Sequence, residues 1–147
     1  MKRFLGLDSN SAVTIFSTVV IPRGNPKETL SEIDLENYIS QAIWKFFDKH
    51  RGAAAERLNA SEIDLVLHDA RVVAVKIDGH QVLNPQGFTG RTVEIVLGGT
   101  LTRRDDVEDG TQVFESGAVR AYLLAKKEDK KSLIYVEVGD GITKIFL

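Results

Sequence analysis

Towards its C-terminal end the chain reads Glu137-Val138-Gly139-Asp140-Gly141-Ile142-Thr143, the stretch whose residue types come nearest to a chemical task. Glycines let backbone N–H groups approach an anion closely, so Gly139, Asp140, Gly141 and Thr143 could cradle a phosphate. The same residues also suit an ordinary hairpin turn. His50, His68 and His80 fall in different elements, and their spacing matches no metal-ligand set. His68-Asp69 has the composition of a base and its orienting carboxylate. Neighbours on a strand point to opposite faces, however, so the pair reads as structural. Ser61, Ser116 and Ser132 have no nucleophile context. Asp105, Asp106, Glu108 and Asp109 read as a solvated acidic loop rather than a cation site. The expectation is a chain with no catalytic residue, no metal site and no cofactor of its own.

Size and composition narrow the classes further. The chain has 147 residues, of which 43% are hydrophobic, enough for a core of ordinary size. A net charge of −2 argues against general nucleic-acid binding, which needs a basic surface. Without cysteine there is neither a disulfide framework nor a thiolate metal site. No apolar run approaches the roughly 20 residues of a spanning helix. The apolar stretch after Met1-Lys2-Arg3 is too short for a signal peptide. Together these point to a cytoplasmic protein.

The elements that would position such residues follow from periodicity and turn chemistry. Arg3 to Leu7 is a short apolar segment closed by Asp8-Ser9-Asn10, and Ala12 to Ile21 reads as a strand. After the loop Pro22 to Pro26, Ser31 is a good N-cap with Asp34 three residues on, a variant of the capping box. Leu35, Ile39, Ala42, Ile43 and Phe46 then share one helical face, and the helix can extend past Gly52 toward Asn59. At about 100° per residue, Trp44 falls opposite Leu35. Such a tryptophan either covers a neighbouring element, the preferred reading, or belongs to a partner surface.

Three strands are expected next. Ile63, Leu65 and Leu67 alternate with Asp64, Val66 and His68 until a break at Asp69, and Val73, Val75 and Ile77 resume the pattern. Asp78-Gly79 is a strong two-residue hairpin signal. His80 to Leu83 returns briefly, and Asn84-Pro85 ends it. The last of the three strands, Thr92 to Leu101, places Val93, Ile95 and Leu97 on one face. Beyond the charged connection Arg103 to Thr111, Gln112 to Lys127 reads as a helix. Leu133 to Val138 and Ile142 to Leu147 read as strands.

This order, strand, helix, then three strands, resembles the small inserted module of the bacterial cell-division protein FtsA, often called SHS2. Leu65 to Ile95 carries the closest likeness, which extends to the pilus-assembly scaffold PilM. Asn84, Pro85, Gly87, Phe88, Thr89 and Gly90 stand where that family has a segment similar to Asn-Pro-x-Gly-hydrophobic-[Ser/Thr]-Gly. RFLGLDSNSAVTI looks like the actin-like strand from which the module is inserted. Phe114 to Leu147 looks like the helix, strand and turn where the chain re-enters the actin-like core. That turn is similar to the second phosphate loop of actin-like ATPases, with Glu137 at the aspartate position and Lys144 where an acid often follows.

The resemblance implies an α+β fold: residues 1–16 an actin-like core strand, 17–104 an SHS2-like module, and 105–147 a helix and β-hairpin re-entering an actin-like (ribonuclease H-like) core. In the module one helix packs on a small antiparallel sheet. The chain would be an interior slice of a longer protein, lacking the first phosphate loop and the adenosine-binding subdomain. What the resemblance implies for function is a non-catalytic protein–protein interaction module of a bacterial division or pilus scaffold. It would act at the cytoplasmic face of the membrane, reached only through protein partners, self-association among them. Its expected interface comprises Trp44, Asp78, Gly79, His80, Asn84 and Arg91, with Arg and Trp as anchors. The alternative is a part of an ATP-binding actin-like ATPase, in which Gly139, Asp140, Gly141 and Thr143 would help hold ATP with Mg. A stand-alone small-molecule binder, marked by a closed apolar pocket between helix and sheet, is the remoter reading.

Overall fold

The computed structural model describes residues 3–7, 10–107, 111–115, 135–139 and 142–146. Contacts divide the chain into two units, one of residues 1–14, 51–69 and 100–147 and the other of 15–50 and 70–99. The fold is α+β. Its described elements are, in chain order, β1 (Arg3–Leu7), β2 (Ala12–Pro22), α1 (Glu32–Arg57), β3 (Leu65–Ile77), β4 (His80–Val82), β5 (Thr92–Arg103), β6 (Thr111–Glu115), β7 (Tyr135–Gly139) and β8 (Ile142–Phe146). Two short 3-10 turns, Glu62–Asp64 and Arg104–Asp106, flank β3 and β5.

In the unit of residues 15–50 and 70–99, one helix packs on a small antiparallel sheet of order β2-β5-β3-β4. The helix begins where its cap dictates. The Asp34 N–H donates to Ser31 Oγ at 3.1 Å, and the Ser31 N–H donates to Asp34 Oδ2 at 3.1 Å. The capping box is therefore closed in both directions. Of the apolar helix face, Ala42 and Phe46 are buried, and Leu35, Ile39 and Ile43 are half-buried. Val19 and Ile21 of β2, Val75 and Ile77 of β3, and Val93, Ile95 and Leu97 of β5 are buried, each two residues from the next on its strand. Each such large side chain, removed from water, contributes roughly 1.5–3 kcal/mol.

In the other unit, β1 lies between β6, which runs parallel to it, and β8, which runs antiparallel, giving the order β6-β1-β8-β7. Leu7, Ala12 and Val113 form a buried cluster against which Val107 packs. Here α1 ends in a left-handed cap at Asn59 (φ 51). The Ala60 N–H reaches the Ala55 carbonyl at 2.9 Å and the Asn59 N–H the Glu56 carbonyl at 3.2 Å. This is the Schellman pairing, with Asn in place of the usual Gly.

Three expectations are corrected. The segment from Gln112, expected to be helical, is strand β6 at 111–115, because Leu5 and Val113 stand in register and parallel pairing supplies the hydrogen bonds a helix would have made. The remainder of the expected helix, 116–127, lies outside the described residues. Asp69 does not end a strand. β3 continues through it with Asp69 at φ 50, an irregularity that Asp tolerates because its short side chain can bond locally. Ile63 belongs to the 3-10 turn rather than to β3 and is exposed, so the alternation that included it was fortuitous.

Candidate interaction surface

The best-built feature of the unit of residues 15–50 and 70–99 is the junction between the β3–β4 turn and the loop leading into β5. Asp78 and Gly79 have φ of 49° and 84°, the two positive angles of a type I′ turn, and Ile77 pairs with His80 across it. The Asp78 carboxylate then closes a wider ring. Its Oδ1 accepts from the Arg91 N–H at 2.9 Å, the Thr92 N–H at 3.0 Å and the Thr92 hydroxyl at 3.4 Å. The Asp78 N–H meanwhile donates to the Thr92 carbonyl at 3.1 Å. The donated N–H of Thr92, then that of Arg91, holds the Asp78 carboxyl below its ordinary value.

The loop 84–91 is fastened on its other side as well. Residues 85–88 form a turn closed by the Phe88 N–H on the Pro85 carbonyl at 3.2 Å. Gly87, at φ 88, occupies the position that a type II turn reserves for a positive angle. The Leu30 N–H donates to the Phe88 carbonyl and the Gly87 N–H to the Leu30 carbonyl, each at 2.8 Å. The Gly90 N–H donates to the Pro26 carbonyl at 3.2 Å, and the Arg23 N–H to the Arg91 carbonyl at 2.8 Å. A Cβ at Gly90 would run into the Ile77 side chain and the Asp78 carboxylate. The glycines of this motif are therefore explained by backbone geometry alone.

Side chains outside this fastening face solvent. Leu83 is 100% exposed, and Phe88, Asn84, His80 and Arg91 are exposed too. Of the expected interface residues, Asp78, Gly79, His80, Asn84 and Arg91 are thus brought together by the turn and loop. Trp44 stands on α1 and is 72% exposed, so it covers no neighbouring element as first read. Ile33, three helical turns earlier on the same side, is equally bare. Leu83 and Ile33 were missed by sequence reasoning, and Phe88 was named only for its place in the family-like segment. The signal for Leu83 and Phe88 was present, since both are large apolar residues within a turn-rich stretch.

Other sequence candidates resolve into local structure. His68 is half-buried in the unit of 1–14, 51–69 and 100–147, with Nε2 2.8 Å from the buried Thr102 hydroxyl. That hydroxyl donates to the Arg103 carbonyl at 3.2 Å, which leaves it to accept from His68 Nε2–H. Burial pushes the His68 pKa down. Asp106 of the acidic group pairs with Arg103 at 2.8 Å, and the same guanidinium donates to the Leu58 carbonyl at 2.6 Å. Glu108, Asp109, Ser116 and Ser132 lie outside the described residues. Gly139 ends β7 and pairs with Ile142, and Thr143 of β8 stands opposite Val138 and Gly6. Asp140 and Gly141, the two residues that pairing leaves between the strands, also lie outside the described residues. Among the described residues no three His, Cys, Asp or Glu are grouped to hold a metal ion, and no helix is long and apolar enough to cross a membrane. No protein-family model and no curated protein sequence matches the chain.

Proposed function

We propose that this chain is a non-catalytic protein-binding module of the FtsA or PilM kind, part of a division or pilus-assembly scaffold. The observation that carries this reading is the loop 84–91. Its backbone is tied down at Leu30, Pro26, Arg23 and Asp78, while Leu83 and Phe88 are left in water. A rigid loop presenting apolar side chains loses little conformational entropy on binding, which favours a recognition surface. The order β2, α1, β3, β4, β5 supports the SHS2-like part of the reading. The parallel and antiparallel neighbours of β1 would belong to the actin-like part.

The test is binding of purified cytoplasmic segments of division and pilus membrane proteins, measured by interferometry against Leu83→Ser and Phe88→Ser variants. Loss of binding at least about tenfold with an unchanged melting temperature is expected, the effect of removing one interface anchor. Binding indifferent to both substitutions would overturn the reading. The same samples heated with Mg-ATP test the phosphate-loop alternative. A ligand at 100 times its Kd adds about 2.7 kcal/mol, which a melting curve resolves easily.

A further inference from the structure

The two edges of the sheet β2-β5-β3-β4 are built differently. One is β4, three residues long, with His80 and Gln81 exposed. Short, polar edge strands are a usual guard against pairing with another chain. At the other edge stands β2, which runs for 11 residues from Ala12 to Pro22. It contains no charged residue, and its one proline is the last residue. Along Ile15 to Ile21 there is neither a charge nor a proline.

The exposed positions of this edge are balanced in character about Thr18. Phe16 and Val20, both large and apolar, flank it at equal distance, and Ile15 matches Ile21 farther out, whereas Ser17 and Val19 differ. On one side of the strand Phe16 and Val20 are 60% and 51% exposed, with exposed Thr18 between them. On the other side Val19 and Ile21 are buried. The Phe16 ring lies against Gly98 of the adjoining strand, where a Cβ would stand 2.6 Å from the ring, and the Arg71 guanidinium sits 5.9 Å from its centroid. The aromatic side chain thus extends an apolar surface up to the outer strand of the sheet.

We infer that β2 pairs antiparallel with β2 of a second copy of this chain, about a two-fold axis through Thr18. In that register Thr18 faces its own copy, Phe16 faces the partner's Val20, and Ile15 faces the partner's Ile21. Aromatic to β-branched and Thr to Thr are favourable cross-strand pairs, and a two-fold interface uses each of them twice. No like charges meet along the seam. Backbone donors and acceptors of both edges find partners, and two four-stranded sheets become one of eight. The inference rests on the reading of the chain as a protein-binding module, and adds both the partner and the strand that meets it.

The experiment is sedimentation equilibrium of the full chain, with Phe16→Glu, Val20→Lys and the double variant. The glutamate is placed at position 16 so that it also suits the neighbouring Arg71. The wild type is expected to be a dimer. Each single substitution sets two charges opposite apolar residues in the seam and should raise the dimer Kd at least about tenfold. In the double variant positions 16 and 20 carry opposite charges that meet across the two-fold, and dimerisation should return. A wild type that stays monomeric, a dimer indifferent to both single substitutions, or a folded double variant without rescue overturns the pairing. Thr18→Cys is read separately, because the chain has no other cysteine. Mild oxidation should give a covalent dimer, whereas Val72→Cys should stay monomeric. Absence of the Thr18→Cys cross-link also overturns the register. A monomeric result leaves the loop surface at Leu83 and Phe88 to its own binding test, so the two readings fail separately.

Discussion

Phe46 and Trp44 sit two residues apart on α1 and meet opposite fates. Phe46 is 1% exposed, whereas Trp44 is 72% exposed. A helix turns about 200° over two residues, so one ring faces the sheet and the other faces water. The same division recurs at the turn and loop, where the Asp78 carboxylate and Gly90 are used up by the fold and Leu83 and Phe88 are not. The lesson is that residue type alone does not mark a surface for binding. What marks it is a large side chain left over once the fold's own geometry has been satisfied.

The strongest way to break this comparison is to delete the buried member. Phe46→Ala should destabilise by about 3–5 kcal/mol in denaturant unfolding, the usual cost of removing a core aromatic. A loss below about 1 kcal/mol would mean that the helix face is not packed as described. Gly90→Ala comes next, at about 1–3 kcal/mol, because its methyl group must displace Ile77 or Asp78. Pairing it with Ile77→Ala, which removes the Cγ2 methyl that the new Cβ would meet, should cost less than the sum of the two single losses. Failure to do so would place the strain elsewhere.

Asp78 sharpens the comparison through pH. Its folded pKa lies below its unfolded value, so its stabilisation is present above the unfolded carboxyl pKa of about 3.9 and is lost as pH falls through the folded value. Asp78→Asn should flatten the acid limb of the melting curve without removing it, because Asp34 is lowered in the same direction by the Ser31 N–H. An unchanged acid limb would show that the ring around Asp78 does not depend on charge. His68 acts nearer neutrality. Its folded pKa is lowered by burial, so the unfolded chain takes up the proton first and stability falls as pH drops below about 6.5. His50 shifts the same way, by burial and then by Lys49. His68→Gln should therefore reduce this slope but leave part of it. The smallest effect belongs to Trp44→Ala, within about 0.5 kcal/mol of wild type. A larger loss would mean that Trp44 is covered after all.

Local features were legible in the sequence. The Ser31–Asp34 box, the Asp78-Gly79 turn and the alternation of Val93, Ile95 and Leu97 each depend on a few neighbouring residues. The structure reproduces them for that reason. β6 was read as a helix because its partner, β1, lies more than a hundred residues earlier, and no local pattern announces a parallel neighbour. Asp69 was read as a break because aspartate is depleted in strands, and nothing local shows that β3 runs on through it. At the candidate surface the turn residues were found, and of the exposed apolar ones Trp44 was named and Leu83 was not. Exposure depends on which face the remainder of the chain covers, and no residue near Leu83 in the sequence decides that.

The ring closed by Asp78 on Arg91 and Thr92 has a consequence for how this chain can change over generations. Its fastening uses backbone groups, one carboxylate and two glycines, and draws nothing from the side chains of Leu83, Asn84, Gln86 and Phe88. Those four positions can be rewritten while the frame that displays them stays fixed. A lineage could retarget the loop to a new partner by point substitution, with no cost in foldedness to slow it.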